Sequence, residues 1–409
     1  MAESIPGLFE RWAKVKERMK FSKLGRIALV SIASLGVGLG VTACGPSNTI
    51  DYLYVTASKQ NPGQISVYKV DSEAGILYQI TDSPYGSGGR NPVADVTSPN
   101  GKNLYVINHD DNTIVEFAIG TDGKLYPQQT CNLPGSYPSQ LTVNKAGTFL
   151  YVVETYQPNF SLSIPGPGAM VVFPINANGQ LGATSSLCQP VPNGTSAFFP
   201  LGNNPLSVNV LPNGNFVYAV NEGDGTIAAF QVGSDGVLSS IGLFDAGTNP
   251  NAVASDPAGK FVYVTDGATN QMYGFVVQPN GSLVRMAKPF KTDNLPNAVA
   301  VDPRGIYVYT ANFNANDISA FTIDQTTGNA TPLSAPIYAV GNGPLCLLIE
   351  PSEGRYIYTA NFLSNTVSGL ALNPATGGLS AVQNTPFGAA QQPTCNAAIT
   401  HGKHTVSQP

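Results

Sequence analysis

A short strand with tyrosine at its centre constrains this chain more than any other feature, because it returns seven times. It reads Leu53-Tyr54-Val55, Leu104-Tyr105-Val106, Leu150-Tyr151-Val152, Val217-Tyr218-Ala219, Val262-Tyr263-Val264, Val308-Tyr309-Thr310 and Ile357-Tyr358-Thr359. With one long interval excepted, the copies lie roughly 45 to 50 residues apart, a period typical of propellers and solenoids. A polar turn follows each copy, then a second strand ending in a bulky side chain, as at 226–230 and 317–321. Glycine two residues before leucine opens a third strand at Gly75, Gly123, Gly179, Gly236, Gly281 and Gly377. The sixth copy departs, with Gly328 followed by Asn329 and Ala330. Between copies a fourth strand starts at Pro92, Pro138, Pro205, Pro250, Pro296, Pro344 and Pro393, a position where proline removes no ladder donor. Four short strands per repeat and no helical period predict an all-β chain, a seven-bladed β-propeller with four-stranded blades.

Strand order also says how the ring closes. The chain enters on a Tyr strand near Asp51 and leaves on a Pro-led strand that has no Tyr strand after it, so 51–57 and 393–399 are expected to pair. That pairing removes the sheet edges that invite aggregation. Asp256-Pro257-Ala258-Gly259 and Asp302-Pro303-Arg304-Gly305 put Asp, Pro and Gly where a type I turn uses them. Their aspartates are therefore turn formers.

The first 43 residues differ from the rest. Seven Lys or Arg fall within residues 1–26, and 27–41 is an uncharged apolar run, the layout of a secretory signal. The run ends Val41-Thr42-Ala43-Cys44-Gly45, which resembles a bacterial lipobox and predicts cleavage before an acylated Cys44. The expected organisation is a signal peptide at 1–43, a tether at 44–50, the propeller at 51–402 and a tail at 403–409. The protein would be exported and held by lipid on the cell membrane or the outer membrane. Without its leader the chain keeps 13 basic and 22 acidic side chains, a formal charge of −9, which disfavours nucleic acid as a partner. A monomer is expected. Cys131, Cys188, Cys346 and Cys395 would stand in an oxidising compartment. Cys131 and Cys188 follow the third strands of neighbouring repeats at similar offsets and are expected to pair. Cys346 and Cys395 share a register on adjacent inner strands, but packed sheets stand about 10 Å apart, which argues against a bond.

Stretches such as Phe261-Val262-Tyr263-Val264-Thr265-Asp266 and Ile357-Tyr358-Thr359-Ala360-Asn361-Phe362 carry a likeness that covers about residues 51–402. The repeats resemble the YVTN-type and lactonase-type seven-bladed propellers, a group that includes propeller-type 6-phosphogluconolactonases and carboxymuconate-lactonizing enzymes. The resemblance implies His and Arg just after one of the prolines, and Glu after Asn in the following Tyr strand. Among the fourteen residues that follow the seven prolines there is no His, Arg, Asp or Glu. Leu206 and Ser207 stand where Arg and His would be, and only Glu222, after Asn221, matches. A lactone hydrolase needs a base for water and a donor for the oxyanion. The expectation is therefore a binding or scaffold module on the cell envelope, using its channel-mouth face to take a small-molecule, glycan or protein ligand. The alternative is a lactonase-like hydrolase, a carboxylic-ester hydrolase with an altered site, using Glu222 and His109.

Three positions after each tyrosine stand Ala57, Asn108, Glu154, Asn221, Asp266, Asn312 and Asn361. Asn and Asp there brace turns through their own backbone; the competing reading is a ring of oxygen ligands, with Glu154, Asn221 and Asp266 holding calcium. No other cofactor is implied. The third repeat is the long one, 67 residues from Tyr151 to Tyr218. Its excess lies in loops 155–168 and 189–204, whose Tyr156, Phe160, Phe198 and Phe199, with Asn221, are the expected ligand-binding residues.

Overall fold

The computed structural model describes residues 48–404 and 406. They form seven four-stranded antiparallel blades in a ring, a seven-bladed β-propeller. We number the blades in chain order. Blade 4 is typical, with inner strand Pro205–Val210, Tyr strand Phe216–Asn221, third strand Thr226–Val232 and outer strand Leu238–Asp245. All six residues of its Tyr strand are buried, because each blade is packed between two others. A strand covered on both faces reads as a near-continuous apolar run.

Blade 1 is made from both ends of the chain. Strand Thr49–Ala57 pairs with Pro393–Thr400 in the register Asp51↔Thr400 to Ala57↔Pro393, the expected closure.

The recurrence of tyrosine and glycine has one physical cause. In six blades the central tyrosine donates its buried hydroxyl hydrogen bond to the next blade's turn glycine: Tyr54 to the Gly123 carbonyl at 3.1 Å, Tyr105 to Gly179 at 2.5 Å, Tyr218 to Gly281 at 2.9 Å, and Tyr263 to Gly328, Tyr309 to Gly377 and Tyr358 to Gly75 at 2.8 Å each. Gly328 thus keeps its role although its leucine is lost. These turns need glycine twice over. Gly281 has φ +81°, and a Cβ there would lie 2.3 Å from the Phe216 ring of the neighbouring blade. Only Tyr151 buries its hydroxyl without a partner among these seven.

Both cysteine pairs are bonded. Cys131–Cys188 joins blades 2 and 3. Cys346–Cys395 joins the inner strands of blades 7 and 1 with Cα atoms 4.9 Å apart, which corrects the expectation drawn from sheet spacing. The 10 Å figure holds where sheet faces stack; at the channel the blades converge like spokes, and their inner strands come within bonding distance.

Loop 189–204 carries the outer strand of blade 3. Phe199–Pro200 pairs with Ala169 and Met170 as the outer strand of blade 3, and Val191 N–H donates to the Val172 carbonyl at 2.7 Å. Phe199 is 1% exposed and belongs to the core with Met170, Val208 and Val217. Phe198 packs half-buried against a neighbouring core cluster. A blade needs a fourth strand more than the surface needs aromatics, and this segment supplies it.

Candidate functional site at the channel mouth

The seven inner strands enclose a channel of about 420 Å³, lined by Ser139, Gln140, Ser207, Asn251, Asn297, Thr394 and their neighbours. Several residues just after the prolines tie one inner strand to the next. Ser139 Oγ donates to the Pro205 carbonyl at 2.7 Å, Thr394 Oγ1 to that of Pro92 at 2.8 Å, and the Asn251 and Asn297 amides to those of Pro296 and Leu345. Here those positions are structural straps.

The mouth is built on the position where the resemblance places its Glu, one residue after each bracing position. The residue following each bracing position is half-buried at the rim: Ser58, His109, Thr155, Glu222, Gly267, Phe313 and Phe362. In six of the seven its backbone N–H donates to the carbonyl of the residue before the proline of its own blade, as from His109 to Asn91 at 2.9 Å and from Glu222 to Asn204 at 3.0 Å. Thr155 does so through Oγ1, to Tyr137. The accepting residue is left-handed in most blades, including the bulky Tyr137 (φ 58°), Leu295 (57°) and Gln392 (58°). Non-glycine residues avoid that region, and such strain clusters at functional sites.

His109 and Glu222 therefore occupy equivalent positions two blades apart. His109 Nδ1 lies 2.7 Å from Asp110 Oδ1, so an ionised Asp110 fixes the proton on Nδ1 and leaves Nε2 as the acceptor. Burial alone would raise the Asp110 carboxyl. The hydrogen bonds from His109 and Asn91, with the charges of His109 and Arg90, outweigh it and hold the group below the usual carboxylate range. The His109 ring lies against Tyr137, centroids 4.8 Å apart, and Tyr137 meets Tyr156 edge-on at 6.0 Å. The Glu222 carboxylate accepts from the Asn204 amide at 2.8 Å and from the Asn249 amide.

The calcium trio is not a metal centre in this arrangement. Asp266 accepts backbone N–H bonds from Thr248, Asn249, Ala268 and Thr269; Asn221 bonds Gly202 and Thr226; Glu154 accepts the Gly135 N–H. Each is fully buried in its own blade. Among the described residues no group of three or more His, Cys, Asp or Glu is disposed to hold a metal ion. The turn-bracing reading is the one the contacts support. Glu154 is pushed up to about 8 by burial, against the pull of the Gly135 N–H, but its burial keeps it from bulk water. A glycine three residues before the proline makes this bracing possible: a Cβ on Gly135, Gly202, Gly247 or Gly341 would lie 2.3 to 2.8 Å from the bracing side chain or the backbone beside it. That Gly-x-x-Pro spacing is readable in the sequence and marks the mouth turns directly. Of the loop aromatics, Tyr156 reaches the mouth, while Phe160 packs on Gly166 within its own loop. Cys44 lies outside the described residues.

The sequence profile of the family described as "Lactonase, 7-bladed beta-propeller" matches residues 63–162, 168–294 and 211–349. The chain belongs to this family. Among similar proteins, a 6-phosphogluconolactonase of Photorhabdus laumondii is 26% identical over 329 residues, covering 72% of this chain and 98% of that one. A 6-phosphogluconolactonase of Xenorhabdus nematophila is 37% identical over 98 residues, 24% of this chain and 28% of that one. The solved structure of the periplasmic gluconolactonase of Pseudomonas aeruginosa aligns with TM-score 0.70 at 18% identity, over 87% of this chain and 100% of that one, a likeness of fold. These relatives overturn the expectation of a non-enzymatic binding or scaffold module and favour the lactonase alternative. The expectation weighed only the residues after the prolines, which here strap one inner strand to the next; His109 stands on the rim position equivalent to Glu222 in another blade.

Proposed function

We propose that this protein hydrolyses a lactone at the channel mouth, with His109 as general base. The observation that carries the reading is the His109–Asp110 pair on the rim of a lactonase-family propeller. A water molecule gives a proton to Nε2 as its oxygen adds to the lactone carbonyl carbon. The ring C–O bond then breaks, and the imidazolium returns the proton to the departing oxygen, leaving the open hydroxy acid. Asp110 orients the ring and balances the imidazolium charge. Rim amides such as Asn91 and Asn204 are the available donors for the oxyanion, and Glu222, held by two amides, positions substrate or water.

His109→Gln should lower lactone turnover by about a hundredfold or more with melting unchanged, and Glu222→Gln should lower it less. Wild-type protein that hydrolyses no lactone of a sugar and aliphatic panel above the uncatalysed rate would end this reading. The place of action we propose is outside the cytoplasm, on lipid attached to Cys44; the leader at 1–43 and two disulfides support an oxidising compartment.

A further inference from the structure

We infer, on the reading that the mouth is a lactonase site, that the lactone it takes is neutral and hydroxyl-rich and carries no phosphate. The turns that make the mouth contain two basic side chains, Lys59 and Arg90, against Asp110, Asp111, Glu222, Asp224 and Asp293. Arg90 is already spoken for. Its Nε and Nη2 lie 2.6 Å from Asp111 Oδ1, its backbone N–H donates to Oδ2 of the same carboxylate at 2.6 Å, and Nη2 also reaches the Asp110 carbonyl at 3.1 Å. Turning it to a phosphate would strand Asp111 and unfasten the turn. Lys59 is exposed beside Gln391 and Gln392 on blade 1, a single ammonium that makes no fork or cluster of cations. A phosphate monoester is close to a dianion at neutral pH and is recognised by forked or clustered cations. Here it would enter a cleft whose fixed charge has its own sign, and a cleft concentrates that field.

What the mouth does offer suits a sugar ring. Asn204 and Asn249 donate amides to Glu222, and Asn203 donates its own to Asp224 in the same turn; amides both donate to and accept from hydroxyls. Tyr137 and Tyr156 on one side, with Phe313 and Phe362 on blades 6 and 7, offer half-buried aromatic surface for the C–H face of a ring.

The test compares glucono-1,5-lactone with its 6-phosphate, using wild-type protein and correcting for uncatalysed opening. At about 10 mM ionic strength, where charges act over about 30 Å, kcat/KM should favour the neutral lactone at least tenfold. Raising the ionic strength to roughly 0.3 M should shrink that ratio, and Lys59→Gln should leave it in place. Equal or faster hydrolysis of the 6-phosphate would overturn the inference while leaving the hydrolase reading intact. A preference that salt does not move would overturn its electrostatic basis. Failure to open either lactone would remove the hydrolase reading and the inference with it.

Discussion

A tyrosine hydroxyl buried between two blades must find an acceptor or lose its hydration without return. Tyr218 finds the Gly281 carbonyl at 2.9 Å, whereas Tyr151 finds none. Tyr218→Phe should therefore lower stability in urea melts by about 1–2 kcal/mol, the cost of a buried carbonyl left without its donor. Tyr151→Phe should be neutral or slightly stabilising. Equal losses for both would mean that the tyrosines act through ring packing alone, and that the clamp between blades contributes nothing measurable. At the site, the same residue-scale logic separates His109 from Glu154. Both are titratable side chains near the mouth, but one is half-exposed with an oriented ring and the other is sealed under Gly135.

The closing element joins the two ends of the chain, and a buried acid sits on it. Asp51, in the Tyr strand of blade 1, accepts from Ser352 Oγ at 2.5 Å and faces Glu350, whose carboxylate accepts the backbone N–H groups of Glu353 and Arg355. Burial first, and the charge of Glu350 second, push the Asp51 carboxyl well above its ordinary value of 3.8. A folded-state value above the unfolded one means that the folded chain holds this proton more tightly. The stabilisation is complete below the unfolded value and is lost as pH rises above it. Asp51→Asn keeps an acceptor for Ser352 and removes the charge, so the variant should melt higher than wild type above pH 8, by about 1–2 kcal/mol, and show a flatter profile from pH 4 upward. A profile parallel to that of wild type would place the titration elsewhere. Cys346–Cys395 ties the same closing strand to blade 7, so the ends of the chain are held by a ladder and a disulfide together.

For the molecule as a whole, the proposed lipid attachment rests on one sulfur. Cys44→Ser should abolish incorporation of a fatty-acid analogue in labelled cells, and a serine variant that still carries label would refute anchoring at that residue. Seven blades, four strands in each and their closure are legible in the amino-acid order, because strand alternation, turn glycines and strand-initial prolines act locally and repeat with the blade. It also held the bracing positions and the Gly-x-x-Pro turns. What happens where blades meet depends on the assembled ring. Cys346 and Cys395 bond because inner strands converge on the axis. Phe199 becomes core because blade 3 takes its outer strand from a long loop. His109 and Glu222 become equivalent rim residues because ring closure places positions far apart in the chain on one circle. Local patterning fixes which face of a strand is apolar; the radial geometry of the ring fixes which side chains share a space, and that geometry exists only once all seven blades are assembled.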